Sequence, residues 1–296
     1  MGQKKKFNYV DFILKYLSVI LMIIALIYIG VNNHYFFKVN NIISILLQTA
    51  SLAIMAMGMT FVLITGGIDL SIPPVMALGA ILGTLYMQHG GNGFIAFLIM
   101  LAVGVGCGLV NGYAIAYLNM IPFIVTLSLQ TITYGACLWI ASNGISGVSD
   151  GFKQVVLFKL GIIPFPIILM FLLMIIAEVM LKKTYLGREL YLVGTNVKMA
   201  DVSGINSKRV ILSVYVLSGI LASLADIVGA AVIGGASTSG GIGTAKGAVF
   251  GAIFITIIGN AANMLHLSYN VTMMMKGILI LAFVAMDMIR RSRRGL

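Results

Sequence analysis

Few residues in this chain have side chains that could do chemistry, and only eight of them are acidic. Asp69 stands in ITGGIDLS, after Gly66 and Gly67 and two residues before Ser71, with apolar sequence on either side. An ionisable group at such a depth is costly and is usually paired or functional. Its carboxylate can accept backbone N–H groups of the following turn, as Asx residues do, or it can line a pathway. Asp226 is a second acid in apolar surroundings, with no partner nearby in sequence. Asn111, Asn260 and Asn263 are amides within apolar runs, where such groups hydrogen-bond between helices or line a polar route. No catalytic constellation is present, and no GxxxxGK[ST] loop exists to hold nucleotide phosphates. The chain is therefore expected to carry no cofactor of its own and to catalyse no reaction. His34, His89 and His266 fall at the ends of apolar runs and form no metal-ligand spacing. Cys107 and Cys137 lie inside apolar runs and read as packing residues.

The elements that must position these residues are membrane spans. The sequence is 60% hydrophobic and 9% charged over 296 residues, more apolar surface than a water-soluble domain can bury. Several windows reach the roughly 20 apolar residues that cross a hydrocarbon core. The sequence predicts spans at Phe12–Ile29, Ile42–Thr65, Val75–Met87, Phe94–Leu118, Phe123–Ala141, Ile162–Leu181, Val210–Ile233, Ala248–Leu265 and Val271–Met288. The expected fold is an all-α polytopic bundle of nine to ten membrane segments. The first run is not read as a cleaved signal peptide, because no small-residue cleavage site follows it.

The net charge of +11 does not point to nucleic acid, because the basic residues are clustered. Fourteen of the nineteen fall near Lys4–Lys15, Lys182–Arg209 and Arg290–Arg294. That is the distribution of cytoplasmic flanks. It places the N-terminus and the 182–209 loop in the cytoplasm, and Ser142–Gly161 outside. Gly104, Gly108 and Gly112, four apart, form a smooth stripe for close helix packing.

The Gly66-Gly67 phrase recurs at Gly234-Gly235, an offset of 168. At the same offset Ser71 meets Ser239, Gly79 meets Gly247 and Gly83 meets Gly251. Two internal repeats are expected, roughly 41–141 and 210–288, whose interrupted helices flank a pathway.

ITGGIDLS resembles the signature of permease subunits of ABC importers for monosaccharides, of the ribose, xylose and galactose type. That group is related to the branched-chain amino acid permeases. GLVNGYAIAYLNMIPFIVTLSLQTITYG at Gly108–Gly135, TYLGRELYLVGTNVKMADVSGINSKRV at Thr184–Val210 and AAVIGGASTSGG at Ala230–Gly241 resemble further blocks in the same order. The resemblance implies a plasma (inner) membrane subunit that moves a sugar inward by alternating access. It implies three protein partners: an ATPase subunit holding ATP and Mg, an extracytoplasmic sugar-binding protein, and a second permease chain. Val197, Lys198, Met199, Ala200, Asp201, Val202, Ser203 and Gly204 then correspond to the coupling segment that engages the ATPase. Lys198 stands there where an acid is usual. Pro73-Pro74 departs from the family pattern after IDLS, with Ser71 expected to cap the helix they begin. Two other readings remain at this point: an ion-coupled secondary transporter built on Asp69 and Asp226, or a shortened permease that no longer transports.

The second reading of the C-terminal half arises from chain parity. The family's external excursion is missing near Ala225–Asp226. Both the 182–209 loop and the Arg290–Arg294 tail should be cytoplasmic, yet only three long apolar segments separate them. Val210–Ile233 is then either one span or a re-entrant hairpin turning at Asp226. With the tail inside, a cysteine introduced as Ser292→Cys should stay unlabelled by an impermeant thiol reagent in intact cells. Labelling from outside would mean one straight crossing at Val210–Ile233 and an inverted C-terminal half.

Overall fold

The computed structural model describes residues 27, 30–31, 33–142, 147–156, 158–230 and 244–294. The expected first span, Phe12–Ile29, lies almost wholly outside them. The described elements are α1 (Val39–Ile64), α2 (Ile72–Gln88), α3 (Gly93–Ala116), α4 (Pro122–Ile140), α5 (Asp150–Val156), α6 (Phe165–Lys183), α7 (Tyr185–Thr195), α8 (Val197–Val202), α9 (Ser207–Ala230), α10 (Ala245–Met264) and α11 (Tyr269–Arg294). A two-residue antiparallel ladder joins β1 (Lys159–Leu160) to β2 (Ile163–Pro164). The protein is an all-α polytopic membrane bundle. Among the described residues six helices are long and apolar enough to cross a bilayer: α1, α3, α4, α6, α9 to Asp226, and α10. Two shorter apolar helices, Ile72–Gln88 and Tyr269–Leu281, accompany them.

The chain divides into two compact units. One comprises residues 1–45 and 254–296, and the other Leu46–Ile253. In the first, Asn41 and Asn260 exchange two side-chain hydrogen bonds, of 3.2 and 2.9 Å. This pairing satisfies both amides within apolar sequence.

The second unit is organised around α3 and α9, which run antiparallel. Gly104 lies against Gly219, Gly108 against the Tyr215 and Val216 backbone, and Gly112 against Leu212. The stripe therefore serves packing, as its spacing suggests. α2 packs antiparallel on α3, with Gly79 and Gly83 against Met100. At the far end of this pair, Phe152 and Val156 of α5 join Met87, Ala96 and Met100 in an apolar cluster.

Three expectations need correction. The polar segment 182–209 holds more than the one short helix that Val197–Ser203 suggests: Thr184 accepts the Gly187 N–H and starts α7, and Asn196 accepts the Met199 N–H and starts α8. Of the two alternatives for Val210–Ile233, the described residues 210–230 do not show the hairpin at Asp226. α9 passes through that residue unbroken to Ala230, the last described residue before 244. Asp226 is 2% exposed, and Gly79 of α2 leaves it room. The third correction concerns Ser71, which precedes α2 but does not cap it with its side chain. Pro73 and Pro74 do fall in the first turn, where no N–H is required.

The close approach of α3 and α9 yields a test. A Cβ on Gly108 would sit 2.5 Å from the Tyr215 carbonyl oxygen, whereas one on Gly106 meets nothing within 4 Å. Gly108→Val should lower stability in detergent by about 1–3 kcal/mol or more, read as a fall in thermal midpoint. Gly106→Val should leave the midpoint nearly unchanged.

Candidate functional site

The chemistry-bearing residues converge on the interruption between α1 and α2. α1 ends in a Schellman motif: the Gly66 N–H donates to Leu63 O at 3.0 Å and the Gly67 N–H to Val62 O at 3.1 Å. Gly66 has φ +79°, a conformation that costs glycine little. The chain then turns, and Asp69 organises the turn. Its Oδ1 accepts the Ser71 N–H at 3.0 Å and the Ser71 hydroxyl at 2.6 Å. Its Oδ2 accepts the Ser218 hydroxyl from α9 at 2.9 Å. The Ser71 hydroxyl in turn accepts the Asn111 amide from α3 at 2.9 Å. The Ser71 oxygen is thus taken up by Asp69 and Asn111, which is why it does not cap α2.

The neighbouring carbonyl of Ile68 is held as well. Thr126 of α4 donates to it at 3.2 Å, and the Tyr215 hydroxyl of α9 reaches it at 3.5 Å, passing over Gly67. Asp69, Ser71, Asn111 and Ser218 are all buried. The space framed by Asp69, Ser71, Cys107, Asn111 and Gly219 is too small to admit a water molecule. Asn111 Oδ1 finds no hydrogen-bond partner among the described residues. In this arrangement the acid fastens a helix break, and three donors surround its two oxygens.

The other predicted residues lie elsewhere. Asp226 is eight residues beyond Ser218 on α9, and its Oδ2 is likewise unpartnered among the described residues. Asn260 pairs with Asn41 in the other unit, and Asn263 is exposed. Gly234, Gly235 and Ser239 lie outside the described residues. His34, His89 and His266 are exposed, and no metal-holding group of His, Cys, Asp or Glu occurs among the described residues.

Val197–Gly204 forms a separate, compact feature. Ala200 is buried while Val197, Met199 and Val202 are exposed, Val202 at 86%. A second Schellman motif ends α8, with the Gly204 N–H on Asp201 O and the Ile205 N–H on Ala200 O. Gly204 takes φ +83°. Asp201 Oδ1 accepts the Ser207 N–H at 3.2 Å and so helps begin α9.

Six apolar helices of spanning length, with a buried polar helix break and a capped short helix between spans, are the build of a multi-pass membrane protein. Residues 41–239 match the model of the branched-chain amino acid transport system / permease component family, and the chain belongs to that family. It is 33% identical over 291 residues to the ribose import permease protein RbsC of Bacillus subtilis (strain 168), covering 90% of each chain. To the RbsC of Escherichia coli (strain K12) it is 33% identical over 299 residues, covering 91% of this chain and 92% of that one. To the D-allose transport system permease protein AlsC of Escherichia coli (strain K12) it is 32% identical over 310 residues, covering 97% and 95%. No solved structure matches.

Sequence reasoning found Asp69, Ser71 and Asn111 but missed Ser218, Tyr215 and Thr126. Ser71 and Asn111 make unequal contributions to the network. Ser71→Ala would break the bond to the carboxylate and leave the Asn111 amide without its acceptor, whereas Asn111→Ala removes one bond and one unpartnered oxygen together. Ser71→Ala should therefore cost about 1–3 kcal/mol and exceed Asn111→Ala, as compared by thermal unfolding in detergent.

Proposed function

We propose that the chain is the membrane-spanning permease subunit of a binding-protein-dependent ABC importer, moving a monosaccharide inward while ATP is hydrolysed on a separate subunit. The observation that carries this reading is near end-to-end similarity to proteins named for ribose and allose transport. In this reading the partners are an ABC ATPase, an extracytoplasmic sugar-binding protein and a second permease chain, and the N-terminus lies in the cytoplasm. The similarity spans nine-tenths or more of those relatives. An ion-coupled carrier needs an acid that can open to a pathway. Asp69 instead sits buried among three donor groups.

Val197–Gly204 is the segment we assign to the ATPase. α8 is capped at its start by Asn196 and stopped at its end by Gly204, so it behaves as a rigid stub. It offers Val197, Met199 and Val202 to a partner and is tied to α9 through Asp201. A force on the stub is passed to a spanning helix rather than lost in a loop.

The test is purification of the chain with its ATPase, followed by ATP-dependent uptake of ribose and allose into vesicles supplied with the binding protein. No co-purifying ATPase and no ATP-dependent uptake would end the importer reading. Gly204→Ile places a β-branched residue at positive φ. It should leave membrane insertion intact and let ATP be hydrolysed without matching uptake. Wild-type uptake per ATP in this variant would remove the coupling role from the segment.

A further inference from the structure

We infer that the turn Thr65–Ser71 is the point at which motion of the α7–α8 pair enters the helix bundle, and that Ser218 and Tyr215 are positioning residues of this linkage, acting through Asp69 and Ile68. The inference rests on the importer reading and adds to it a route and named residues.

Two contacts join the cytoplasmic helices to the turn. Near the end of α7, Gly194 lies directly against the Ile64 carbonyl and close to Thr65, with no room for a Cβ. This places α7 on the last residue of α1, just where the turn begins. The second contact runs through α9. Asp201, on α8, holds the Ser207 N–H at the start of α9. From Ser207 to Ser218 the helix is continuous, a rigid rod of roughly 16 Å. Ser218 then donates to Asp69, and Tyr215, one turn earlier, reaches Ile68.

α7 therefore bears on the entry of the turn while α9, started by α8, grips its middle. α7 and α8 are separated only by Asn196 and would move together. The surroundings offer little slack. Gly67 lies under the Tyr215 ring, and the space beside Asp69 is too small for water. Close-packed contacts of this kind transmit displacement instead of absorbing it. The outlet is α2, whose first residues follow Ser71, and Asn111 of α3 is bonded to that same serine. A shift of the turn thus acts on two further helices.

Ser218→Ala removes one oxygen from this route without touching the turn's own Asp69–Ser71 bonds. The experiment is hydrogen exchange across residues 65–71 in the permease–ATPase complex, with and without a non-hydrolysable ATP analogue. In the wild type, nucleotide should change exchange of the turn by about tenfold. In Ser218→Ala that response should largely vanish, with ATPase recovery and nucleotide affinity unchanged. Ser218→Thr, which keeps the hydroxyl, should restore it. Should Ser218→Ala fail to assemble, Tyr215→Phe is read in the same way. A wild-type turn that ignores nucleotide, or a Ser218→Ala turn that responds like wild type, overturns the linkage alone. A wild-type chain that binds no ATPase overturns the importer reading and the linkage with it.

Discussion

The structure of residues 46–253 depends on two backbones touching. Gly104 and Gly219 face each other across α3 and α9 with no Cβ on either side. In a bilayer there is little hydrophobic gain from pressing helices together, so contact energy comes from close packing and hydrogen bonds. That contact brings the Ser223 hydroxyl within 2.9 Å of the Met100 carbonyl. It also sets Ser218 and Asn111 at the depth where the helix break needs donors. Spread α3 and α9 by one methyl group and the polar bonds fail together with the packing.

The break itself follows from an obligation that lipid imposes: every backbone group inside the membrane must find a partner within the protein. Stopping α1 at Ile64 and restarting at Ile72 exposes such groups. The two glycines close the end of α1 on Val62 and Leu63, Asp69 takes the Ser71 N–H, and Thr126 and Tyr215 take the Ile68 carbonyl. The lone acid among apolar runs is the acceptor that a turn in this setting requires. Its remaining oxygen is satisfied from a helix that lies far away in sequence.

That division between near and far also decides what could be read without a structure. The Gly66 turn, the short helix ending before Gly204, the Asx role of Asp69 and the glycine stripe of α3 all have local or helical-period signals, and each has the form its residues suggest. Ser218 and Tyr215 give no such signal, because their partners lie 149 and 147 residues away and a serine or tyrosine in an apolar helix is unremarkable. Ser71 departs from its local preference for a related reason. Capping is a local preference, and a carboxylate and an amide from other elements outcompete it. Chain parity leaves a bend at Asp226 open beside a single span, but Gly79 opens a notch in α2 where a straight helix carries the acid inside.

The two buried acids of this unit consequently differ in kind. Asp69 receives three hydrogen bonds and holds a fixed geometry. Asp226 has an oxygen that no described group meets, accommodated by the missing Cβ at Gly79. A satisfied carboxylate stabilises one arrangement of its neighbours, since each donor lost is a direct cost. An unsatisfied one gives no such preference and penalises the packed state it sits in. α9 meets both: it reaches Asp69 through the Ser218 hydroxyl and carries Asp226 itself, eight residues further on. The level of Ser218 is pinned to the turn, while at the level of Asp226 no described group bonds the Oδ2 atom. The stretch of α9 from Ser207 to Ser218 joins α8, through Asp201, to the helix break, through Asp69.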